Sequence, residues 1–108
     1  RLPFADAEPG MAGAETLLAM LLSLVRDEVI GLPDVFRLAA STPAALMGQN
    51  AGVLAEGAEA DIALIEPERP WVISSARMAA SAGNTPFDGQ PTQGRVTALY
   101  KGGVRISV

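Results

Sequence analysis

The sequence predicts an α+β chain, helical in its first half and stranded in its second. Three observations predict it. Leucines recur at helical spacing through residues 14–25. After Gly48 the pattern changes, and Gly52, Gly57, Gly83, Gly89, Gly94, Gly102 and Gly103 divide short runs rich in Val, Ile and Thr. A hydrophobic fraction of 49% against 19% charged residues is that of a packed chain rather than a disordered one. The 108 residues amount to one ordinary domain at most.

The elements follow in order. Pro3, Pro9, Gly10 and Gly13 make the first stretch an irregular loop that needs something to lie against. A helix is predicted from Ala14, with Glu15 in its first turn and Leu17, Leu18, Leu21, Leu22 and Val25 along one stripe. Met20 and Leu24 widen that stripe, so this helix should be covered on most sides. Arg26, Asp27 and Glu28 give it a polar end, and Gly31 punctuates it. Pro33 suits the first turn of a second helix over 34–40. Ser41-Thr42-Pro43 reads as a hydroxyl N-cap followed by a first-turn proline, which starts a third short helix that Gly48 closes.

In the second half, residues 62–65 form an apolar strand ended by Pro67, and residues 71–73 a second, shorter one. Residues 95–100 and 104–108 flank Lys101-Gly102-Gly103, the clearest hairpin in the chain, because glycine tolerates the positive φ of a tight turn. Val104, Ile106 and Val108 alternate with Arg105 and Ser107, which predicts one buried and one wet face. So small a sheet has edges and a second face that need cover from elsewhere.

Composition excludes several function classes. Eight Lys and Arg, scattered singly in a chain of net charge −4, argue against nucleic-acid binding, which needs clustered cations. The apolar run 14–25 is shorter than the ~20 residues that span a bilayer, so no membrane partner is expected. With no Cys there is neither a disulfide nor a thiolate metal site, and with no His there is no Ser-His-Asp triad. A core of Leu, Val, Ile, Ala and Met suits a cytoplasmic protein. The opening Arg1-Leu2-Pro3-Phe4 has neither an initiating Met nor a signal-peptide pattern, and reads as a boundary inside a longer chain or a proteolytic end.

The carboxylates that remain suggest modest roles. Asp6, Glu8 and Glu15 read as capping and solvated groups, and Asp61, in a turn with Glu56 and Glu59, as a partner for backbone amides rather than a metal ligand. Gly10-x-x-Gly13 and Gly102-Gly103 lack the remaining glycines of a phosphate loop. Backbone N–H groups at 10–15 could either cap the helix or hold an anionic group, and spacing favours the cap.

Taken together, the motifs resemble the C-terminal portion of a bacterial dihydroorotase, one of the cyclic amidohydrolases of the amidohydrolase superfamily. Pro3-Phe4-Ala5 and Ala7-x-Pro9-Gly10-x-x-Gly13-x-Glu15-Thr16-Leu17-Leu18 are similar to the segment after that family's last metal-binding stretch. Thr42-Pro43-Ala44 with Gly48, then Gly52-x-Leu54-x-x-Gly57-x-x-Ala60-Asp61, resembles the superfamily's exit from barrel to small β domain. Thr42 departs from the usual Asn at its position. Asn84-Thr85-Pro86-Phe87-x-Gly89 and the hairpin from Gly94 to Gly103 narrow the likeness to dihydroorotase.

The resemblance implies that residues 1–50 are a loop and the last helices of a metal-dependent hydrolase (β/α)8 barrel. Residues 51–108 would then be part of a small composite β-sandwich domain lacking its upstream strands. It also implies a zinc-dependent parent that interconverts carbamoyl aspartate and dihydroorotate in pyrimidine biosynthesis. The zinc ligands and the proton-transferring Asp would precede Arg1, leaving this chain inactive alone, without a catalytic residue or a metal ligand. Pro9 and Gly10 match the family positions whose backbone touches substrate. The partners implied are the upstream part of the same enzyme, or a second copy of this piece. Two further readings stand beside this one: a non-catalytic homologue that partners aspartate carbamoyltransferase, and a related hydantoinase or allantoinase.

Overall fold

A computed structural model describes residues 3–108. Its order is an irregular N-terminal loop with one 3-10 turn at Phe4–Asp6, a helical region, and a three-stranded antiparallel sheet. The α+β reading therefore holds.

Helix α1 runs Leu17–Arg26, three residues later than the predicted start. Residues 14–16 form a turn instead, because the Gly13 carbonyl accepts from the N–H groups of Thr16 and Leu17 at 3.1 and 3.0 Å and from Thr16 Oγ1 at 3.2 Å. The buried stripe of α1 is also not the leucine-rich one. It follows Thr16, Ala19 and Leu22, while Leu17 and Leu24 are exposed. Small side chains at 16 and 19 let the helix approach its neighbours closely, and leucine counting overlooks them.

Helix α2, Leu32–Phe36, starts with the Asp34 carboxylate accepting the Gly31 N–H at 3.0 Å. The chain then stays helical through a π turn, Arg37–Ser41, into α3, Thr42–Leu46. The predicted break at Ser41 is thus absent, and Ser41 is not an N-cap. Its φ and ψ are −65° and −46°, and its hydroxyl donates to the Gly52 carbonyl at 3.0 Å. Pro43 supplies no N–H to the preceding turn, and the helix widens into the π turn there rather than ending. Gly48 does close the run. At φ +65° it allows nested bonds from Gly48 N to Ala45 O at 3.1 Å and from Gln49 N to Ala44 O at 2.9 Å.

Strands β1 (Ile62–Val72), β2 (Pro91–Lys101) and β3 (Val104–Ile106) pair in the order β1-β2-β3. Where two short strands were expected on either side of Pro67, there is one strand of 11 residues. The ladder slips between Glu66 and Pro70, which places both prolines where no ladder N–H is needed, on an edge strand. The Gly102-Gly103 hairpin forms as predicted, with φ of +55° and +80°.

The core lies where α1 packs on β2 and on α2 and consists of Ala19, Leu22, Val35, Ile73 and Ala98. Gly94, at φ +101°, sits under α1 so closely that a Cβ there would lie 2.2 Å from Leu22 Cδ1. Trp71 Nε1 donates to the Gly94 carbonyl at 3.0 Å, and the Arg95 guanidinium stacks 4.7 Å from the Trp71 ring centre.

Much apolar surface stays open. Val104, Ile106 and Val108 are all exposed, against the expectation of a buried face, because none of the described residues covers that side of β3. Leu46 and Leu54 are 81% and 82% exposed. The accessible surface is 8055 Å² for 11.1 kDa, where a compact monomer of that mass has about 5,700 Å². The radius of gyration is 15.8 Å, against about 13 Å for a compact chain of this length. Among the described residues no helix is long and apolar enough to cross a membrane.

Candidate functional site

The segment between β1 and β2 extends from the sheet back to the N-terminal loop. Its base continues the ladder, with Ile73 N to Gln90 O at 3.0 Å and Gly89 N to Ile73 O at 2.8 Å. The Asp88 carboxylate accepts the Ser75 N–H at 2.7 Å, and the bonds from Ser75 and then Gly89 hold its pKa below the usual carboxylate range. A 3-10 turn, Ser75–Arg77, follows.

This segment meets the loop that carries Pro9 and Gly10. Asn84 Nδ2 donates to the Gly10 carbonyl at 3.1 Å, and Ala12 N donates to the Asn84 backbone carbonyl at 3.2 Å. The Glu15 carboxylate accepts the Ala80 N–H at 3.0 Å. Two motifs more than 70 residues apart in the sequence are thereby joined. Pro9 and Gly10 themselves are exposed. A Cβ on Gly10 would meet nothing within 4 Å, and its φ is not in the left-handed region, so no contact within the chain requires glycine there. Asn84 was noticed in the sequence only as part of a motif; its role as the tie between the two segments has no local signal.

At the other end of the sheet Asp61 does what the sequence suggested. Its Oδ1 accepts the Gly102 N–H at 2.9 Å, while Oδ2 pairs with Lys101 Nζ. The Lys101 bond, then the Gly102 bond, lowers the Asp61 pKa, and Asp61 raises that of Lys101. This is a turn clip, completed by Gly103 N to Ala60 O at 3.0 Å. Among the described residues no group of three or more His, Cys, Asp or Glu could hold a metal ion, so these side chains do not fit a zinc centre.

No family model matches the chain. Individual relatives do. It is 36% identical over 100 residues to the dihydroorotase of Pelobacter propionicus, covering 93% of this chain and 24% of that one. With the dihydroorotase of Geobacter metallireducens the identity is 34% over 102 residues, covering 94% and 24%. With that of Syntrophus aciditrophicus it is 36% over 93 residues, covering 86% and 22%. Along nearly its whole length this chain is similar in sequence to dihydroorotases.

It spans about a quarter of the length of those dihydroorotases, in keeping with the resemblance to a C-terminal portion of such an enzyme. A solved D-hydantoinase superposes on 82% of the chain, and on 20% of its own, with a TM-score of 0.74 and 28% identity. The chain thus shares both sequence and fold with cyclic amidohydrolases.

Proposed function

We infer that this chain is the C-terminal portion of a dihydroorotase-type cyclic amide hydrolase, which interconverts carbamoyl aspartate and dihydroorotate in pyrimidine biosynthesis. The observation that carries this is dihydroorotase similarity along nearly the whole chain. Residues 1–50 supply a substrate loop and the last barrel helices, and residues 51–108 supply part of the small β domain. The extra ~2,400 Å² of accessible surface is on the scale of an obligate interface and is the face that the rest of the enzyme covers.

The role of this chain's own residues is to bind rather than to react. The backbone at Pro9 and Gly10 touches the substrate, and a glycine with open space where its side chain would be allows close approach. Zinc would be held by residues outside this chain and would supply the polarisation of the ring amide and the activation of water, and the proton-transferring group would lie outside it as well. The 108-residue chain alone is therefore inactive.

The test is the full-length protein supplied with zinc, assayed on dihydroorotate, a hydantoin and allantoin. Hydrolysis of dihydroorotate in preference to the other two is expected. The D-hydantoinase likeness favours a second reading, in which hydantoin is turned over and dihydroorotate is not. A full-length protein that hydrolyses none of them and co-purifies with aspartate carbamoyltransferase would be the non-catalytic homologue.

A further inference from the structure

We propose that Asn84 is a positioning residue for substrate binding, setting the orientation of the two peptide groups that flank Met11. This rests on the reading of the Pro9-Gly10 loop as substrate-binding. The Nδ2 bond holds the carbonyl of the Gly10–Met11 peptide, and the Asn84 backbone carbonyl holds the N–H of the Met11–Ala12 peptide. One residue therefore fixes both peptides.

Among the described residues there is no cis peptide bond. In a planar trans peptide, N–H and C=O point in opposite directions. With the Gly10 carbonyl turned to Asn84, the Met11 N–H points away from it. Among the described residues, the Met11 N–H, the Gly10 N–H and the Pro9 carbonyl have no hydrogen-bond partner. The loop thus presents the Met11 N–H in a direction that Asn84 determines, beside the Gly10 N–H, donors suited to the carboxylate of a cyclic amide. The Glu15 bond to Ala80 N anchors the same two segments one turn further on, so the loop is held at both ends and its orientation depends on the Asn84 side chain.

Asn84→Ala removes the Nδ2 bond and keeps the backbone one. Asn84→Asp keeps the size and replaces the donor with an acceptor. Both are made in the full-length enzyme and assayed on dihydroorotate. A neutral hydrogen bond contributes about 1 kcal/mol, so KM should rise roughly five- to tenfold in Asn84→Ala, with kcat within twofold of the parent value. Asn84→Asp should raise KM at least as much, because a carboxylate oxygen would face the Gly10 carbonyl.

A KM within twofold of the parent in both variants overturns the proposal, and so does a fall in kcat alone. Failure of both variants to fold would make Asn84 a structural residue and likewise overturn it. If the unmodified enzyme does not hydrolyse dihydroorotate, it is the functional reading that fails, which separates the two ideas.

Discussion

Gly94 lies against Leu22 with no room for a side chain, and the pair shows how much one missing side chain decides. A Cβ at Gly94 would overlap Leu22 Cδ1 at φ +101°, so Gly94→Ala combines overpacking with backbone strain. A loss of roughly 2–4 kcal/mol is expected in urea unfolding. Adding Leu22→Ala should recover part of the loss, and strictly additive effects would contradict the contact. Gly10 is the opposite case. With open space around it, Gly10→Ala should leave stability within about 0.5 kcal/mol while raising the KM of the full-length enzyme; a large drop in melting temperature with KM unchanged would show that the glycine serves folding. The Asp61–Lys101 clip makes a pH prediction. The folded Asp61 pKa is depressed, so its stabilisation is present above the ordinary Asp range and lost as pH falls through the lowered value. The folded Lys101 pKa is raised, so its share is lost only as pH rises through that raised value. The hairpin should keep its amide chemical shifts across neutral pH and loosen below the usual Asp range, and loosening between pH 6 and 8 would contradict the assignment. That Asp61 would hold a backbone amide could be foreseen, though not that the amide is that of Gly102, 41 positions away. Asn84 could not, since its partner Gly10 is 74 positions away.

At the level of elements, the sequence showed which kind of structure forms where, and it failed at prolines. Pro67 read as the end of a strand and Pro43 as the first-turn proline of a separate helix, yet the strand passes Pro67 at a bulge, and Pro43 opens α3 without a break from the π turn before it. Both outcomes depend on tertiary neighbours that absorb the lost N–H, and no local pattern records them. Gly52 illustrates this. It packs on the π turn with a hypothetical Cβ 2.9 Å from Ala40 C and O, and its carbonyl receives the Ser41 hydroxyl. Gly52→Ala should destabilise the helical run by roughly 1–3 kcal/mol, seen as faster amide exchange from Arg37 to Leu46. Unchanged exchange would mean that the contact does not hold the turn. The prolines of β1 also guard an open edge, because a strand without N–H groups is a poor template for another strand. Restoring those donors with Pro67→Val and Pro70→Val should increase concentration-dependent association of the chain in sedimentation, and an unchanged profile would remove edge protection as their role.

On the scale of the whole molecule, the open apolar surface is the most informative feature. The alternation of Val104, Ile106 and Val108 is that of a half-buried strand, yet all three lie exposed. The expected buried face is not formed, and among the described residues nothing covers it. In the candidate site the loop and its tie are present, and among the described residues no group of three or more His, Cys, Asp or Glu could hold a metal ion. The central claim is that this chain completes a dihydroorotase. The most direct test is to assay the full-length protein with zinc on dihydroorotate and hydantoin side by side. The account predicts hydrolysis of dihydroorotate at least a hundredfold above that of hydantoin in kcat/KM, which is about 2.7 kcal/mol of discrimination. Turnover of hydantoin with none of dihydroorotate would contradict it.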